Sequence, residues 1–150
     1  MIVHYDGSVL SSDANVICQQ VNCKGVMGSG LAKEIRTNFP PVYDEYHKKC
    51  LRCYGDDLLG LVQYVTVNGI TFANCFGQVE YGRDGKKYTE DDALRSCFKD
   101  IASTFHSGET IAIPYKIGCE LGGGDWDAIY KIIEEEFKDY DGVVEIWKYR

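Results

Sequence analysis

The spacing of hydrophobic and polar positions changes along the chain and divides it into strand-like and helix-like segments. Short apolar or alternating runs predict strands, whereas apolar residues three and four positions apart predict helices. The predicted strands are residues 2–5, 15–21, 59–67, 70–76, 110–114 and 143–149. The predicted helices are residues 28–39, 42–50, 90–105 and 126–137. This alternation predicts an α/β fold, with a mixed sheet covered by helices on both faces.

One strand connection has a specific turn signal. Asn68-Gly69 lies between two predicted strands, residues 59–67 and 70–76. This dipeptide favours the type I′ turn of a tight β-hairpin, because both of its residues readily adopt positive φ. The sequence therefore predicts one antiparallel pair in the sheet.

A first glycine-rich loop, residues 22–30 (NCKGVMGSG), lies between a buried strand and a helix. Glycines at 25, 28 and 30 let the backbone approach a ligand closely, since no Cβ intervenes. The free N–H groups at the start of the following helix favour an anion. The loop is neither a dinucleotide fingerprint nor a P-loop. A tight turn without a ligand is the alternative reading.

A second glycine-rich loop, residues 117–126 (IGCELGGGDW), again joins a buried strand to a helix. Its three consecutive glycines each cost roughly 0.5–1 kcal/mol relative to alanine when they become ordered. A simple connection does not need them. Asp125 occupies the position of a helix N-cap. Two such loops in one small domain predict a clamp around a diphosphate.

Length and composition set the class of protein. The 150 residues predict a single domain spanning 1–150, and 45% hydrophobic with 26% charged residues excludes a disordered chain. No apolar run reaches the ~20 residues of a membrane span, and the N-terminus lacks the pattern of a signal peptide. We therefore expect a cytoplasmic location, no membrane contact and a monomer.

The charge balance bears on possible partners. Sixteen basic and 23 acidic residues give a net charge of -7. Such a surface repels phosphate backbones, so we expect no non-specific binding of nucleic acid. A phosphate-containing ligand would instead be held by backbone N–H groups and helix ends.

The cysteines indicate free thiols. Their number, seven, is odd, and the chain has no secretory features. Cys50 and Cys53 have metal-ligand spacing, but His47 is the only further ligand nearby, and a zinc site needs about four. We therefore expect no metal and no cofactor. A metal or redox protein built on this pair is a third, weaker alternative that metal analysis would test.

The two loops together resemble a known family. Residues 21–32 and 114–126 resemble the two ligand loops of macrodomains, and the order of elements agrees over essentially the whole chain. The chain is most similar to the branch that contains terminal ADP-ribose protein glycohydrolases, DNA ADP-ribosyl glycohydrolases and ADP-ribose 1″-phosphate phosphatases. The resemblance implies a three-layer α/β/α fold. It also implies ADP-ribose, a derivative of it or an ADP-ribosylated substrate as the ligand.

The resemblance also implies roles for individual residues. Asn22 matches an asparagine beside the distal ribose, and Trp147 matches an aromatic residue that stacks on adenine. A core tryptophan is the alternative for Trp147. In the first loop, the family residues whose backbone contacts the ribose and diphosphate correspond to Gly28, Ser29 and Gly30. The second phosphate loop matches Gly118, Cys119, Glu120, Leu121, Gly122 and Gly123.

Three positions depart from the family pattern. Ser8 follows Gly7 where many macrodomains have an aspartate that holds the adenine amino group. No lysine follows the second hairpin strand, where the glycohydrolase branch has its nucleophile. Gly122 stands at the position of the partner aspartate, with Asp125 shifted towards the helix. A lysine-aspartate mechanism is therefore not assumed.

The remaining side chains favour attack by water. Asp125 and Glu120 are the carboxylates available as a general base, and Gln78 is placed to orient water or substrate. Cys119 is a nucleophile by type, but no histidine lies near it in sequence. The sequence thus predicts ADP-ribose binding with hydrolysis of an ADP-ribosyl linkage. The alternative is a non-catalytic ADP-ribose-binding module or nucleotide sensor.

Overall fold

The computed structural model describes residues 1–53 and 56–149, which form six strands and four helices. The strands are Ile2–Asp6 (β1), Val16–Asn22 (β2), Val62–Val67 (β3), Ile70–Gln78 (β4), Ile111–Pro114 (β5) and Val144–Lys148 (β6). The helices are Gly30–Asn38 (α1), Pro40–Arg52 (α2), Asp91–Thr104 (α3) and Trp126–Glu136 (α4). A 3-10 turn spans Val9–Ser11.

The strands form one mixed sheet in the order β1-β6-β5-β2-β4-β3. The first five of these strands are parallel, and β3 alone runs antiparallel, against β4. The carboxyl ends of five strands therefore meet at one edge of the sheet. Ligands of open α/β sheets bind at this edge.

Helices cover both faces of the sheet, which confirms the predicted three layers. On one face, α3 and α4 bury a core that includes Leu94, Phe98 and Ile133. On the other face, α1 and α2 bury a second core that includes Ile35 and Tyr46. Among the residues described, no helix combines the length and the apolar character needed to cross a membrane.

The predicted hairpin is present. Asn68 and Gly69 have φ values of 53° and 81°, as a type I′ turn requires. The strand before the turn begins at Val62, three residues later than predicted, because Gly60 adopts a φ of 88° and Leu61 N–H bonds to the carbonyl of Leu58. A tight turn with a left-handed residue inside it interrupts the extended conformation.

Candidate functional site

The sheet order brings the two glycine loops together. The first loop (residues 22–30) follows β2 and the second (residues 117–126) follows β5, and these strands are parallel neighbours. A third connection, the bridging segment (residues 79–89), follows β4, the other neighbour of β2. All three connections therefore leave the sheet at the same edge, and the space between them is called the cleft.

Asn22 shapes the first loop from inside. Its Oδ1 accepts hydrogen bonds from the N–H of Lys24 at 3.0 Å and of Val26 at 3.4 Å, and its Nδ2 donates to the Val26 carbonyl at 2.9 Å. The buried Tyr46 hydroxyl lies 2.8 Å from the same Oδ1. The amide thus holds the loop in its turn, and the predicted contact of Asn22 with a ribose stays a prediction.

The start of α1, which follows β2 at this sheet edge, has no side-chain cap. Ser29 is the N-cap residue, but its side chain makes no capping hydrogen bond. The first turn consists of Gly30, Leu31 and Ala32, so it carries no carboxylate. Helix N-termini of this kind attract anions, because their N–H groups and the helix dipole are not otherwise satisfied.

The second loop is held together by close backbone packing. The N–H of Gly124 donates to the carbonyl of Gly118 at 2.9 Å. A Cβ added at Gly124 would lie 2.7 Å from that carbonyl oxygen, and one added at Gly123 would lie 2.6 Å from the Lys86 carbonyl oxygen. Gly123 also has a φ of 71°, which side chains rarely adopt. The glycines are therefore required by the packing of the loop itself.

The bridging segment contacts both loops. At its beginning, the Val79 carbonyl accepts from the N–H of Cys23 at 3.1 Å. At its end, the N–H groups of Tyr88 and Thr89 donate to the Gly122 carbonyl at 2.7 and 2.9 Å. One segment thus closes the β4 side of the cleft and ties the two loops to each other.

The two candidate carboxylates of the second loop are both solvent-exposed. Asp125 is exposed and caps α4, where its Oδ1 accepts from the N–H of Asp127 at 3.3 Å. Glu120 is exposed as well. Burial of the Cys119 thiol, reinforced by both negative charges, raises its pKa to about 11. Cys119 is therefore a neutral thiol near pH 7, which disfavours it as a nucleophile.

Gln78 is the last residue of β4, and both the oxygen and the nitrogen of its side-chain amide are hydrogen-bonded. Its Oε1 accepts from Gln20 Nε2 at 2.6 Å, and its Nε2 donates to the Glu80 carbonyl at 2.7 Å. Sequence reasoning missed both Gln20 and its second partner, Thr89. The available signal was a pair of glutamines inside the otherwise apolar strand β2. Buried polar side chains need a reason to be there.

The family comparison decides what kind of domain this is. The model of the Macro domain matches residues 18–133. The chain belongs to the Macro domain family.

Individual relatives agree with this assignment. The DNA ADP-ribosyl glycohydrolase of Mycobacterium bovis is 27% identical over 96% of the chain, which spans 42% of that relative. A solved protein of unknown function from Bacteroides thetaiotaomicron is 27% identical, covers 99% of this Macro domain over 98% of its own chain, and has a TM-score of 0.85. Thermosipho africanus DarTG, solved in complex with ADP-ribose, shares the fold at 20% identity and a TM-score of 0.80, over 95% of this chain and 40% of its own.

The two lysines of the bridging segment, Lys86 and Lys87, lie at the surface of this Macro domain. Lys86 Nζ is 3.8 Å from Asp84, and Lys87 Nζ is 3.2 Å from Asp91. Both side chains are more than half exposed, at 76% and 53%. Neither lysine is desolvated in the way that activates a Schiff-base nucleophile.

Trp147 lies at the end of β6 on the α1–α2 face of the sheet. Tyr5 stacks on it with ring centroids 4.9 Å apart and an interplanar angle of 19°. Its indole N–H donates to Glu145 Oε1 at 2.8 Å. It is half-buried against the core, so it has features of both alternatives, and adenine stacking stays a prediction. Ser8 Oγ accepts from the N–H of Leu10 and caps the 3-10 turn.

The Cys50 and Cys53 pair is not assembled into a metal site. The nearby His47 lies with its Nδ1 3.3 Å from the Gly25 carbonyl and stacks on Tyr43. Over residues 1–53 and 56–149, the structure places no three His, Cys, Asp or Glu side chains in a group that could hold a metal ion.

Proposed function

We propose that this Macro domain binds ADP-ribose, or a derivative of it, in the cleft between the two glycine loops and hydrolyses an ADP-ribosyl linkage. The observation that carries the proposal is the assembly of both loops at neighbouring strand ends, with the bridging segment hydrogen-bonded to each. Close backbone packing without side chains suits a diphosphate, which is held by N–H groups in a chain of net charge -7.

The relatives support the choice of ligand and of reaction class. One relative is named a DNA ADP-ribosyl glycohydrolase, and one structural neighbour was solved with ADP-ribose. The chain spans less than half of that glycohydrolase. The activity of the whole relative therefore does not by itself define the activity of this domain. Protein-linked, DNA-linked and free ADP-ribose esters, including ADP-ribose 1″-phosphate, all fit the proposed cleft chemistry.

For the reaction, we propose attack by water at the anomeric carbon or at a terminal phosphate. Glu120 or Asp125 accepts the proton of that water as a general base, and Gln78 orients the water or the substrate. The absence of a lysine at the end of β4 and directly after it, in Gln78-Val79-Glu80, favours this route over a Schiff base. The departing group takes up the proton that the base has removed.

The second candidate function is binding without turnover. It is favoured by the position of Asp125, whose carboxylate caps α4. In this alternative the domain recognises ADP-ribose and releases it unchanged. We further propose that the protein acts as a monomer in the cytoplasm.

Calorimetric titration with ADP-ribose, with AMP as the comparison ligand, tests the binding proposal. We expect a dissociation constant near micromolar for ADP-ribose, which corresponds to about −8 kcal/mol. AMP should bind at least tenfold more weakly, because it lacks the second phosphate and the distal ribose. Absence of ADP-ribose binding would overturn the proposal.

Turnover separates the two candidate functions. ADP-ribosylated oligonucleotide and ADP-ribosylated protein would be incubated with wild type, Glu120→Gln and Asp125→Asn, and released ADP-ribose measured. Asparagine keeps the N-cap acceptor for the Asp127 N–H, so Asp125→Asn removes the base and leaves the cap. Hydrolysis by wild type that one variant lowers at least 100-fold supports the enzyme. Binding without any release supports the sensor.

A further inference from the structure

The Gln20 side chain connects three parts of the cleft. It projects from β2 towards α3, and its Nε2 donates to Gln78 Oε1 at 2.6 Å and to Thr89 Oγ1 at 2.8 Å. The Thr89 hydroxyl in turn donates to the Gly118 carbonyl at 2.6 Å. One amide therefore links the end of β4, the end of the bridging segment and the second loop.

The register between β2 and β4 shifts beside this amide. Val21 pairs with Phe76, but Asn22 pairs with Gln78, so Gly77 is an extra residue in β4. A Cβ at Gly77 would collide with Gln20 Oε1 and would lie 2.9 Å from Leu94 Cδ2. Extra residues of this kind re-aim the side chains that follow them. Here the shift sets Gln78 beside Asn22 at the end of the sheet.

The second loop closes around the same amide. A Cβ at Gly118 would lie 2.9 Å from Gln20 Oε1, and one at Gly122 would lie 3.1 Å from Gln20 Nε2. Glycines from β4 and from the second loop thus enclose Gln20 on two sides. A fit this close favours a single arrangement of the three connected parts.

The order of the strand ends along the sheet edge determines which side chains lie at each end of the cleft. The stacked aromatic rings, Tyr5 and Trp147, lie on β1 and β6, and the two glycine loops follow β5 and β2. Gln78 ends β4, at the opposite side of the loops from the aromatic rings. A ligand with a base at one end and a ribose beyond a diphosphate would place that distal ribose next to Gln78.

We propose that Gln20 is a positioning residue for the distal-ribose end of the cleft. It holds Gln78, Thr89 and Gly118 in one arrangement and does not touch the base or the diphosphate. This inference rests on the proposed binding of ADP-ribose. It assigns part of the ligand specificity to a side chain inside the sheet.

The test compares ADP-ribose with ADP, which lacks the distal ribose, in calorimetric titrations of wild type and Gln20→Met. Methionine has similar length but cannot bond to Gln78 or Thr89. We expect the dissociation constant for ADP-ribose to rise at least tenfold and that for ADP to change less than twofold. An equal loss for both ligands, or no loss for either, would overturn the proposal.

Gln19→Met is the matched control. Gln19 is the neighbouring glutamine on the opposite face of β2, and its Nε2 donates to Asn74 Oδ1 at 2.8 Å. Both glutamines have a buried Oε1 without a hydrogen-bond partner in the described structure, so both substitutions remove a comparable amide. We expect Gln19→Met to change stability but not the ratio of the two affinities. If both variants changed the ratio of the ADP-ribose and ADP affinities equally, Gln20 would have only a structural role and the proposal would be overturned.

Thr89→Val keeps the test decisive if Gln20→Met does not fold. Valine preserves the shape of threonine and removes the hydroxyl between Gln20 and Gly118. We expect a selective loss of ADP-ribose affinity of about threefold, and an unchanged ratio would contradict the proposal. Failure of the proposed function has a different signature, since wild type itself would then fail to bind ADP-ribose, and both proposals would fall.

Discussion

The two glycine loops bound the same cleft but are built in opposite ways. The first loop is organised by polar side chains, chiefly Asn22 and the Tyr46 hydroxyl beneath it. The second loop is organised by glycines, which pack closely on the backbone of the loop and of the bridging segment and on the side chains of Gln20 and Thr89. In the first loop Gly28 has room for a Cβ, whereas in the second loop Gly122, Gly123 and Gly124 have none.

The difference teaches that glycine content alone does not identify a rigid loop. A Cβ at Gly28 in the first loop would meet only Val26 Cγ1, at an ordinary 3.7 Å. In the second loop a Cβ at Gly122 or Gly124 would strike the Gly118 carbonyl oxygen at 2.8 or 2.7 Å. Substitution at matched glycines therefore separates a structural need from freedom to accommodate a ligand.

Gly123→Val should give the largest effect. The substitution forces a β-branched residue to a φ of 71° and against the Lys86 carbonyl oxygen. Strain and overpacking together should cost about 2–4 kcal/mol of the free energy of unfolding. Urea denaturation would measure this loss, and ADP-ribose binding should fall below detection in titration.

Gly28→Ala is the partner substitution in the first loop. Its free energy of unfolding should stay within about 0.5 kcal/mol of wild type, because the added methyl meets no close neighbour. If Gly123→Val and Gly28→Ala destabilised the protein equally, the contrast between the loops would be wrong.

Tyr46→Phe should give an intermediate effect that is specific to the first loop. The Tyr46 hydroxyl is buried and lies 2.6 Å from the Asn22 carbonyl oxygen and 2.8 Å from its Oδ1. Its removal leaves buried acceptors without this donor and should cost about 1–2 kcal/mol. Hydrogen exchange should quicken at the Lys24 and Val26 amides. A Tyr43→Phe control, which removes only a hydroxyl 3.3 Å from His47, should cost less.

The reactivity of the thiols, Cys23 in the first loop and Cys119 in the second, should differ least between the loops. Burial raises the pKa of Cys23 and of Cys119 to about 11 from an ordinary value of 9.0. The neutral thiols thus contribute stability that is fully present below pH 9 and is lost as pH rises towards 11. Native-state labelling with iodoacetamide, mapped by mass spectrometry, should be slow for both at pH 7.5. Selective labelling of Cys119 at that pH would restore it as a nucleophile.

The order and type of the elements could be predicted where a local signal specifies them. Asn68-Gly69 specifies its hairpin turn, and Asp125 caps α4 as its position predicts. The site depended on contacts between distant segments. Gly77 must be a glycine because the Gln20 side chain fills the space of a Cβ there, and Gln20 lies far away in sequence, so no local pattern encodes that contact.

The position of β2 has a consequence for how the protein acquires its cleft. Val16 pairs with Thr71 on one side and with Ile111 on the other, so the central strand finds both neighbours late in the chain. Contacts of such high sequence separation form slowly, because long loops must close first. During synthesis the first loop leaves the ribosome long before the second exists. A bound nucleotide can therefore stabilise the finished fold, but it cannot guide the early steps of folding.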